Sequence, residues 1–334
     1  MSCNILAIET SCDDTCASII SDGVILSNII SSQKIHAQYG GVVPELSARE
    51  HLSSLPCVVQ RSLEEAHVDF ANLSAVAFTY GPGLQGPLLV GATYAKSLSL
   101  ALGRIPLIAV NHLWGHVFAG CITRGLKFPF LCLLVSGGNT MIVKVSSFSE
   151  IDILCQTVDD ALGEAYDKIA KIMGLEYPGG KIIDSLAKKG DEFMFRFPTV
   201  KISDDKMSFS GLKTAFRLFI EKNSQTNAAF IENNINNICA SIQHHLLNTV
   251  VRKLIFWIKE TGITTLTIGG GVASNMGLRE MLSDIATDMC LEFIVPKQEY
   301  CVDNAAMIAF CAYEKYKHGL FVDYDHATDI KLKI

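Results

Sequence analysis

At 334 residues the chain has room for two domains or for one duplicated fold. Hydrophobic residues make up 49% and charged residues 19%, which excludes a disordered chain, and no apolar run is long enough to span a bilayer. The net charge of −6 is opposite in sign to that usual for a protein holding RNA by a broad basic face, so contact with RNA is expected through a local patch or a partner. Eleven cysteines with no C-x-x-C pair fit a reducing compartment and argue against a zinc ribbon or a thioredoxin-like site. Met1-Ser2-Cys3-Asn4 carries no basic leader, and the apolar run behind it is broken by Glu9 and Asp13-Asp14, so no signal peptide is expected and the cytoplasm is the expected location.

In chain order, Asn4 to Glu9 reads as a buried strand running into the polar turn Thr10-Ser11-Cys12-Asp13-Asp14-Thr15. Cys16 to Ile20 and Gly23 to Ile30 read as the next strands. A strand, an acidic and hydroxyl-rich turn and a returning strand is the opening of a nucleotide-binding hairpin: hydroxyls and backbone N–H groups reach phosphate, and the acids hold a cation or water. Alone, such a composition is usually just a turn. A helix follows from about Leu46 to Ala66, with Arg49 and His51 on what reads as a solvated face. Leu73 to Thr79 is a strand, and the glycine-rich turn Tyr80 to Gly86 feeds an apolar helix from Pro87 to about Leu102. That turn lacks G-x-x-x-x-G-K-[ST] and is no Walker loop.

Leu107 to Val110 is a strand leading into Asn111-His112-Leu113-Trp114-Gly115-His116. Asn111 fits a helix N-cap. His112 and His116 then lie on one helix face, one turn apart, a spacing that grips one metal ion from one side and needs further ligands from elsewhere. Phe128 to Val135, the turn Ser136-Gly137-Gly138-Asn139-Thr140 and the returning strand Met141 to Val145 repeat the layout of the opening hairpin about 125 residues later, an internal duplication of topology. A helix opens at Ala161 and continues to Met173; a shorter one, Lys181 to Ala187, carries Asp184. Phe193 to Lys213 reads as irregular and as the mobile or partner-facing segment. Helical periodicity returns from about Thr214 to Glu221 and from Ala228 to Lys259. Thr264 to Ile268 is a strand ending in Gly269-Gly270-Gly271-Val272-Ala273-Ser274-Asn275, a turn that can pack against a base and ribose with Asn275 bonding a purine or its sugar. Glu292 to Val295 is a last strand, and Tyr300 to Ala306 starts a helix running to about Tyr316. In it Asp303 reads either as an N-cap or as a free carboxylate that a folded-back helix brings to His112 and His116.

Together, Ile8 to Asp13, Gly81-Pro82-Gly83-Leu84, His112 with His116, Val135 to Gly138 and Gly269 to Asn275 resemble the tRNA adenosine threonylcarbamoyltransferase family (TsaD), formerly labelled O-sialoglycoprotein endopeptidase. Gly179-Gly180, Ser208 to Lys213 and Asp303 extend the likeness over nearly the whole chain. The resemblance implies an α/β, actin-like and sugar-kinase-like (ASKHA) fold: two duplicated ribonuclease-H-like lobes with a nucleotide cleft between them. The first lobe is expected at residues 1–125 plus about 296–334, carrying the metal ligands, and the second at 126–295, carrying the glycine turns. It implies transfer of a threonylcarbamoyl group from threonylcarbamoyl-adenylate to the exocyclic amine of the adenosine 3′ of the anticodon in tRNAs reading codons that start with A, with release of AMP. By the same resemblance, His112, His116 and Asp303 hold one divalent metal, iron with zinc as the alternative, and no catalytic residue is expected beyond the metal and its ligands. Val135, Ser136, Gly137, Gly138, Asn139, Asp167, Gly180, Asp184 and Asn275 contact the adenylate. Partners implied are tRNA, an inactive paralogue (TsaB-like) and a small ATPase (TsaE-like), with no membrane.

Two departures stand out. The family usually has His where this chain has Asn139, so a hydrogen-bonding group remains but not a metal-binding or titrating one. Ser47-Ala48 inverts the usual order of small residues before Arg49 and reads as a change of packing only. A zinc peptidase would need H-E-x-x-H with the glutamate as base, whereas Leu113 follows His112 and no acid lies between the histidines. A small-molecule kinase on the same fold would have no need of the histidine pair, and an inactive partner subunit would be expected to have lost it.

Overall fold

The computed structural model describes residues 2–334. Its first strand, β1 (Asn4–Glu9), is buried at every position. That is why it shows no alternation in sequence: a strand covered on both faces reads as one apolar run. It is followed by β2 (Asp14–Ser21), β3 (Val24–Ser32), α1 (Pro44–Ala66), β4 (Leu73–Gly81), α2 (Gln85–Ala101), β5 (Leu107–Asn111) and α3 (His112–Thr123). Then come β6 (Phe130–Val135), β7 (Thr140–Ser147), β8 (Glu150–Thr157), α4 (Leu162–Ile172), α5 (Gly179–Ala187), β9 (Lys206–Met207), α6 (Ser210–Thr226), α7 (Phe230–Thr261), β10 (Thr265–Gly269), α8 (Met276–Asp288) and β11 (Glu292–Ile294). The chain closes with α9 (Gln298–Cys301) and α10 (Ala305–Lys317). It divides into two compact units, Met1–Gly125 with Pro296–Ile334, and Leu126–Val295. Among the described residues no helix is long and apolar enough to cross a membrane.

The first unit holds a five-stranded sheet in the order β3-β2-β1-β4-β5. β1, β2 and β3 pair antiparallel as a meander, while β4 and β5 add parallel beyond β1. Leu6, Ile8, Val76 and Phe78 pack on Leu55 and Val59 of α1 and on Ala92 and Ala95 of α2. The intervening Ile5 and Ala7 are fully buried as well, so the sheet is covered on both sides. The helix α10 packs along β1, β2 and α3.

The second unit repeats this order. Its sheet runs β11-β10-β6-β7-β8-β9, so β8-β7-β6-β10-β11 reproduces the first sheet with the same antiparallel meander and the same two parallel additions. β9 is an extra short edge strand paired parallel to β8. The duplication read from the two hairpins therefore holds for the whole sheet. It includes a strand, β8, that the sequence did not announce: half of Glu-Ile-Asp-Ile-Leu-Cys-Gln-Thr is polar, and its burial is only partial.

Two expectations need correcting. Phe193 to Asp205 carries no helix or strand, as expected, but two of its aromatic side chains and the end of the segment are held in place. Phe195 packs tilted and Phe197 edge-on against Phe219, with ring centroids 5.1 and 5.4 Å apart, and Phe209 is fully buried. Asp159 accepts from Ser208 Oγ (2.5 Å) and the Phe209 amide (2.8 Å), and Lys213 Nζ reaches Asp160 at 3.1 Å. Carboxylates from the β8–α4 junction, far earlier in the chain, thus pin the start of α6, which begins at Ser210 and not Thr214. The final helix is likewise broken. α9 ends at Cys301, and α10 is capped by Asn304, whose Oδ1 accepts from Met307 N at 2.9 Å, so Asp303 is not the N-cap.

Adjacent parallel strands β6 and β10 end side by side, with Leu134 paired to Gly269, and their following turns touch. Gly270 has φ +89°, and a Cβ there would run into the Val135 carbonyl oxygen. We expect Gly270→Ala to lower unfolding free energy by at least about 2 kcal/mol, from left-handed backbone strain plus a backbone clash. A urea midpoint within error of wild type would show that the two turns are not in contact.

Candidate metal centre and glycine turns

In the first unit the parallel strands β1, β4 and β5 end at Glu9, Gly81 and Asn111, the sheet edge where open α/β sheets place their ligands. α3 starts without a loop. Asn111 Oδ1 accepts from the amides of Leu113 (2.8 Å) and Trp114 (3.4 Å), the N-cap expected from sequence, and its Nδ2 donates to the Lys333 carbonyl at 2.8 Å. His112 therefore sits in the first turn and His116 one turn on, with ring centroids 4.7 Å apart. Between them, Gly115 admits α10: a Cβ there would lie 2.8 Å from Met307 Cγ.

That close approach delivers Asp303. Its carbonyl accepts from Cys16 Sγ at 3.6 Å, and Ala306 N donates to Asn28 Oδ1 at 3.2 Å, so the turn before α10 is tied to β2 and β3. Asp303 Oδ1 stands 3.1 Å from His116 Nε2 and 3.6 Å from His112 Nε2. One donor atom from each of His112, His116 and Asp303 falls within 4.8 Å of the others, a set that could hold a metal ion. Side-chain exposure rises from 0% at His116 through 11% at His112 to 26% at Asp303, so the cluster is closed on the histidine side and open on the carboxylate side.

Behind the cluster lies a residue that the sequence reading did not assign. Glu9 is fully buried at the end of β1. Its Oε1 accepts from Ser11 N (2.5 Å), and its Oε2 from Thr79 Oγ1 (2.5 Å) and His112 Nδ1 (3.0 Å). A carboxylate only accepts, so Nδ1 of His112 carries the proton and Nε2 is the atom turned toward Asp303. Burial would raise Glu9, but the His112 charge and hydrogen bond outweigh it and hold Glu9 below its usual value. Burial likewise opposes charge on His112, yet Glu9 and Asp303 push it up to about 9. Asp303, against burial, is drawn down to about 2 by His112 and His116. His116 is held below its ordinary value, by burial first, and its Nδ1 is a buried atom without a hydrogen-bond partner. The donor set fits a divalent cation: two imidazole nitrogens and a carboxylate converge, and one imidazole is oriented from behind by a second carboxylate. The signal for Glu9 was present in sequence, as a lone acid closing a strand otherwise fit for the core.

The polar turn after β1 is held by α1. His51 is fully buried, not on a solvated face; its Nε2 donates to the Cys12 carbonyl (3.0 Å) and its Nδ1 accepts from Thr15 Oγ1 (2.7 Å). Ser47, also buried, donates its hydroxyl to the same carbonyl, so this departure does more than alter packing. Arg49 is exposed as expected and pairs with Glu45 at 2.6 Å. Within the turn, burial and the neighbouring acids push Asp14 up to about 6.

In the second unit the expected adenylate residues fall into three connected groups. Ser136 N donates to the Asn139 carbonyl (2.8 Å) and Asn139 N to Ser136 Oγ (3.0 Å), closing the turn with Gly137 and Gly138 exposed at its tip. Val135 ends β6 beneath it. Asp167 Oδ1 accepts from Gly179 N at 2.8 Å, fixing the start of α5 where Gly180 lies. Asp184 and Asn275 are joined through Gln243, a residue that the sequence reading passed over inside a long helix. Its Nε2 donates to Asp184 Oδ1 (3.1 Å), and its Oε1 accepts from Asn275 Nδ2 (3.0 Å). A cavity of about 360 Å³, at the lower end of ligand-pocket sizes, lies against Asp184 and Gln243.

A repeated β3-β2-β1-β4-β5 sheet order with turns at the strand ends defines the actin-like, sugar-kinase-like class. Solved structures agree on the fold. Full-length HypF matches with a TM-score of 0.64 at 14% identity, over 96% of this chain and 47% of that one. The ROK hexokinase of Thermus thermophilus matches at 0.51 and 15% identity, over 95% and 100%. Within that class, residues 24–310 match the family model for tRNA N6-adenosine threonylcarbamoyltransferase. The tRNA N6-adenosine threonylcarbamoyltransferase of Christiangramia forsetii is 46% identical over 99% of this chain and 98% of its own. The chain belongs to this transferase family.

The His51 network carries a pH dependence. Burial is the largest influence and holds His51 below its ordinary 6.5, against the pull of the Cys12 carbonyl, Glu9 and Asp13. The unfolded chain takes this proton more readily, so the contribution of neutral His51 is complete above the unfolded value and is lost as pH falls below it. We expect the stability lead of wild type over His51→Gln, about 1–2 kcal/mol at pH 7.5, to shrink by about pH 5.5 when both are read from urea midpoints. Parallel pH slopes in the two proteins would refute this.

Proposed function

We propose that this chain transfers the threonylcarbamoyl group from threonylcarbamoyl-adenylate to N6 of the adenosine 3′ of the anticodon in tRNAs reading codons that begin with A, releasing AMP. The observation that carries the reading is the convergence of His112, His116 and Asp303 in a chain of this family, with an oriented imidazole and no glutamate between the histidines. His112 Nε2, His116 Nε2 and Asp303 Oδ1 are proposed as the ligands of one divalent metal. Iron is favoured because two imidazoles and one carboxylate are the donor set of non-haem Fe(II) sites, with zinc the alternative.

When bound, the metal supplies Lewis-acid polarisation of a carbonyl or phosphoryl oxygen. The chain's own residues do the rest. Glu9 and Ser11 fix the His112 ring, so Nε2 faces the open side. In the second unit the Val135 to Asn139 turn offers backbone amides at its exposed tip for a phosphate that gains charge as it leaves. Asp167, Gly180, Asp184 and Asn275 are proposed to hold the nucleoside. Asn139 contributes its amide or backbone and no acid–base step. Holding the adenylate and tRNA together supplies the orientation that a weakly nucleophilic aryl-like amine needs. With a net charge of −6, docking of tRNA is proposed to need help from an inactive paralogue (TsaB-like) and a small ATPase (TsaE-like), in the cytoplasm.

Two experiments test this reading. Depleting the protein should remove the threonylcarbamoylated nucleoside from bulk tRNA, measured by mass analysis; its persistence at wild-type level would exclude the activity. His112→Ala and Asp303→Ala should each lose bound metal, by elemental analysis, together with transfer. Either variant keeping both would show that the three residues are not a ligand set.

A further inference from the structure

We infer that Gln243 is a positioning residue for the nucleoside, acting through Asp184 and Asn275. The inference rests on the reading that those two residues contact the adenylate. Gln243 lies midway along α7 and is 7% exposed, with Tyr166 and Asn275 buried beside it. Each polar atom of its amide is used. Oε1 accepts from Asn275 Nδ2 (3.0 Å) and Tyr166 Oη (3.3 Å), and Nε2 donates to Asp184 Oδ1 (3.1 Å).

The direction of every bond in this relay is forced. The amide of Leu278 can only donate, and it reaches Asn275 Oδ1 at 2.8 Å. Asn275 must therefore turn its Nδ2 toward Gln243, which must answer with oxygen and so present its own nitrogen to Asp184. Asp184 returns to the same helix terminus: Oδ2 accepts from Met276 N (3.2 Å) and Oδ1 from Gly277 N (3.4 Å). The result is a closed ring through α5, α7 and the N-terminus of α8, with a Cβ on Gly277 only 2.8 Å from Gln243 Nε2. Asn275 is left with one Nδ2 hydrogen for a ligand, Asp184 keeps lone pairs that the ring does not use, and Asp184 and Gln243 both line the cavity. Neither side chain can turn without breaking the ring.

This arrangement makes a swap informative. Gln243→Glu alone sets a second carboxylate against Asp184. Asp184→Asn together with Gln243→Glu exchanges acid and amide across the bond. The amide introduced at position 184 would donate to the new carboxylate and still accept from Met276 N, giving up the longer Gly277 contact (3.4 Å), and Asn275 and Tyr166 would keep their acceptor. AMP is the probe, titrated into the purified full chain, with metal content and melting temperature measured alongside. Gln243→Glu and Gln243→Leu are expected to weaken AMP binding roughly tenfold with metal content unchanged. The double swap is expected to return affinity to within about threefold of wild type, a recovery that a bulk loss of stability would not give. Unchanged AMP affinity in Gln243→Glu, or a double swap no better than the worse single variant, overturns the inference while Asp184→Ala and Asn275→Ala still weaken binding. If Asp184→Ala and Asn275→Ala leave AMP affinity intact, or the wild type binds no AMP, the nucleoside reading itself falls and the inference with it.

Discussion

The first unit depends on one buried contact, the hydrogen-bonded ion pair between Glu9 and His112. A carboxylate with no exposure is costly unless every lone pair it turns inward is met. Glu9 meets that condition with a backbone amide, a hydroxyl and an imidazole drawn from three different parts of the chain. The pair ties the end of β1 to the start of α3, and through Thr79 to β4, so the sheet edge and the histidine helix are fixed as one body. Removing Glu9 would leave three donors without the acceptor they share, which accounts for a charged residue in a strand otherwise built for the core.

The two units use one sheet order for different chemistry. In the first, the turn after the opening strand is acidic and hydroxylic and is braced by His51 and Ser47. In the second, the equivalent turn is Ser-Gly-Gly-Asn, exposed at the tip and held from below by contact with Gly270. A repeated scaffold therefore presents a cluster of imidazoles and a carboxylate at one sheet edge and a glycine turn with exposed backbone at the other. The difference lies in the few residues at each strand end and not in the sheets, in keeping with function being grafted on a fold.

Much of this was legible in the sequence. Fully buried strands read as apolar runs, and Asn111 before His112 announced both a helix start and the ring positions. What stayed hidden shares one physical cause: it concerns polar residues whose partners are distant in the chain. His51 looks like any histidine on a helix until the Cys12 carbonyl and the Thr15 hydroxyl are placed around it. Asp303 looks like an N-cap because Asn304, one residue on, performs that task. Gln243 is indistinguishable from surface glutamines of an amphipathic helix, since its three partners come from α4, α5 and the turn before α8. Ser208 to Lys213 reads as loose because the carboxylates that hold it belong to Asp159 and Asp160. Periodicity reports which residues are inside, but it is silent on which buried polar atoms meet.

The first unit is also discontinuous, with the whole second unit inserted between α3 and α9. His116 and Asp303 are 187 residues apart in sequence. At a synthesis rate of roughly 5–20 residues per second, the ribosome delivers the histidines about ten to forty seconds before the carboxylate. For that interval a nascent chain owns two thirds of a donor set and no α10 to close against Gly115. A product that stops between His116 and Asp303 keeps both imidazoles but never completes the cluster. The three-residue set can therefore assemble only in chains extended past Asp303.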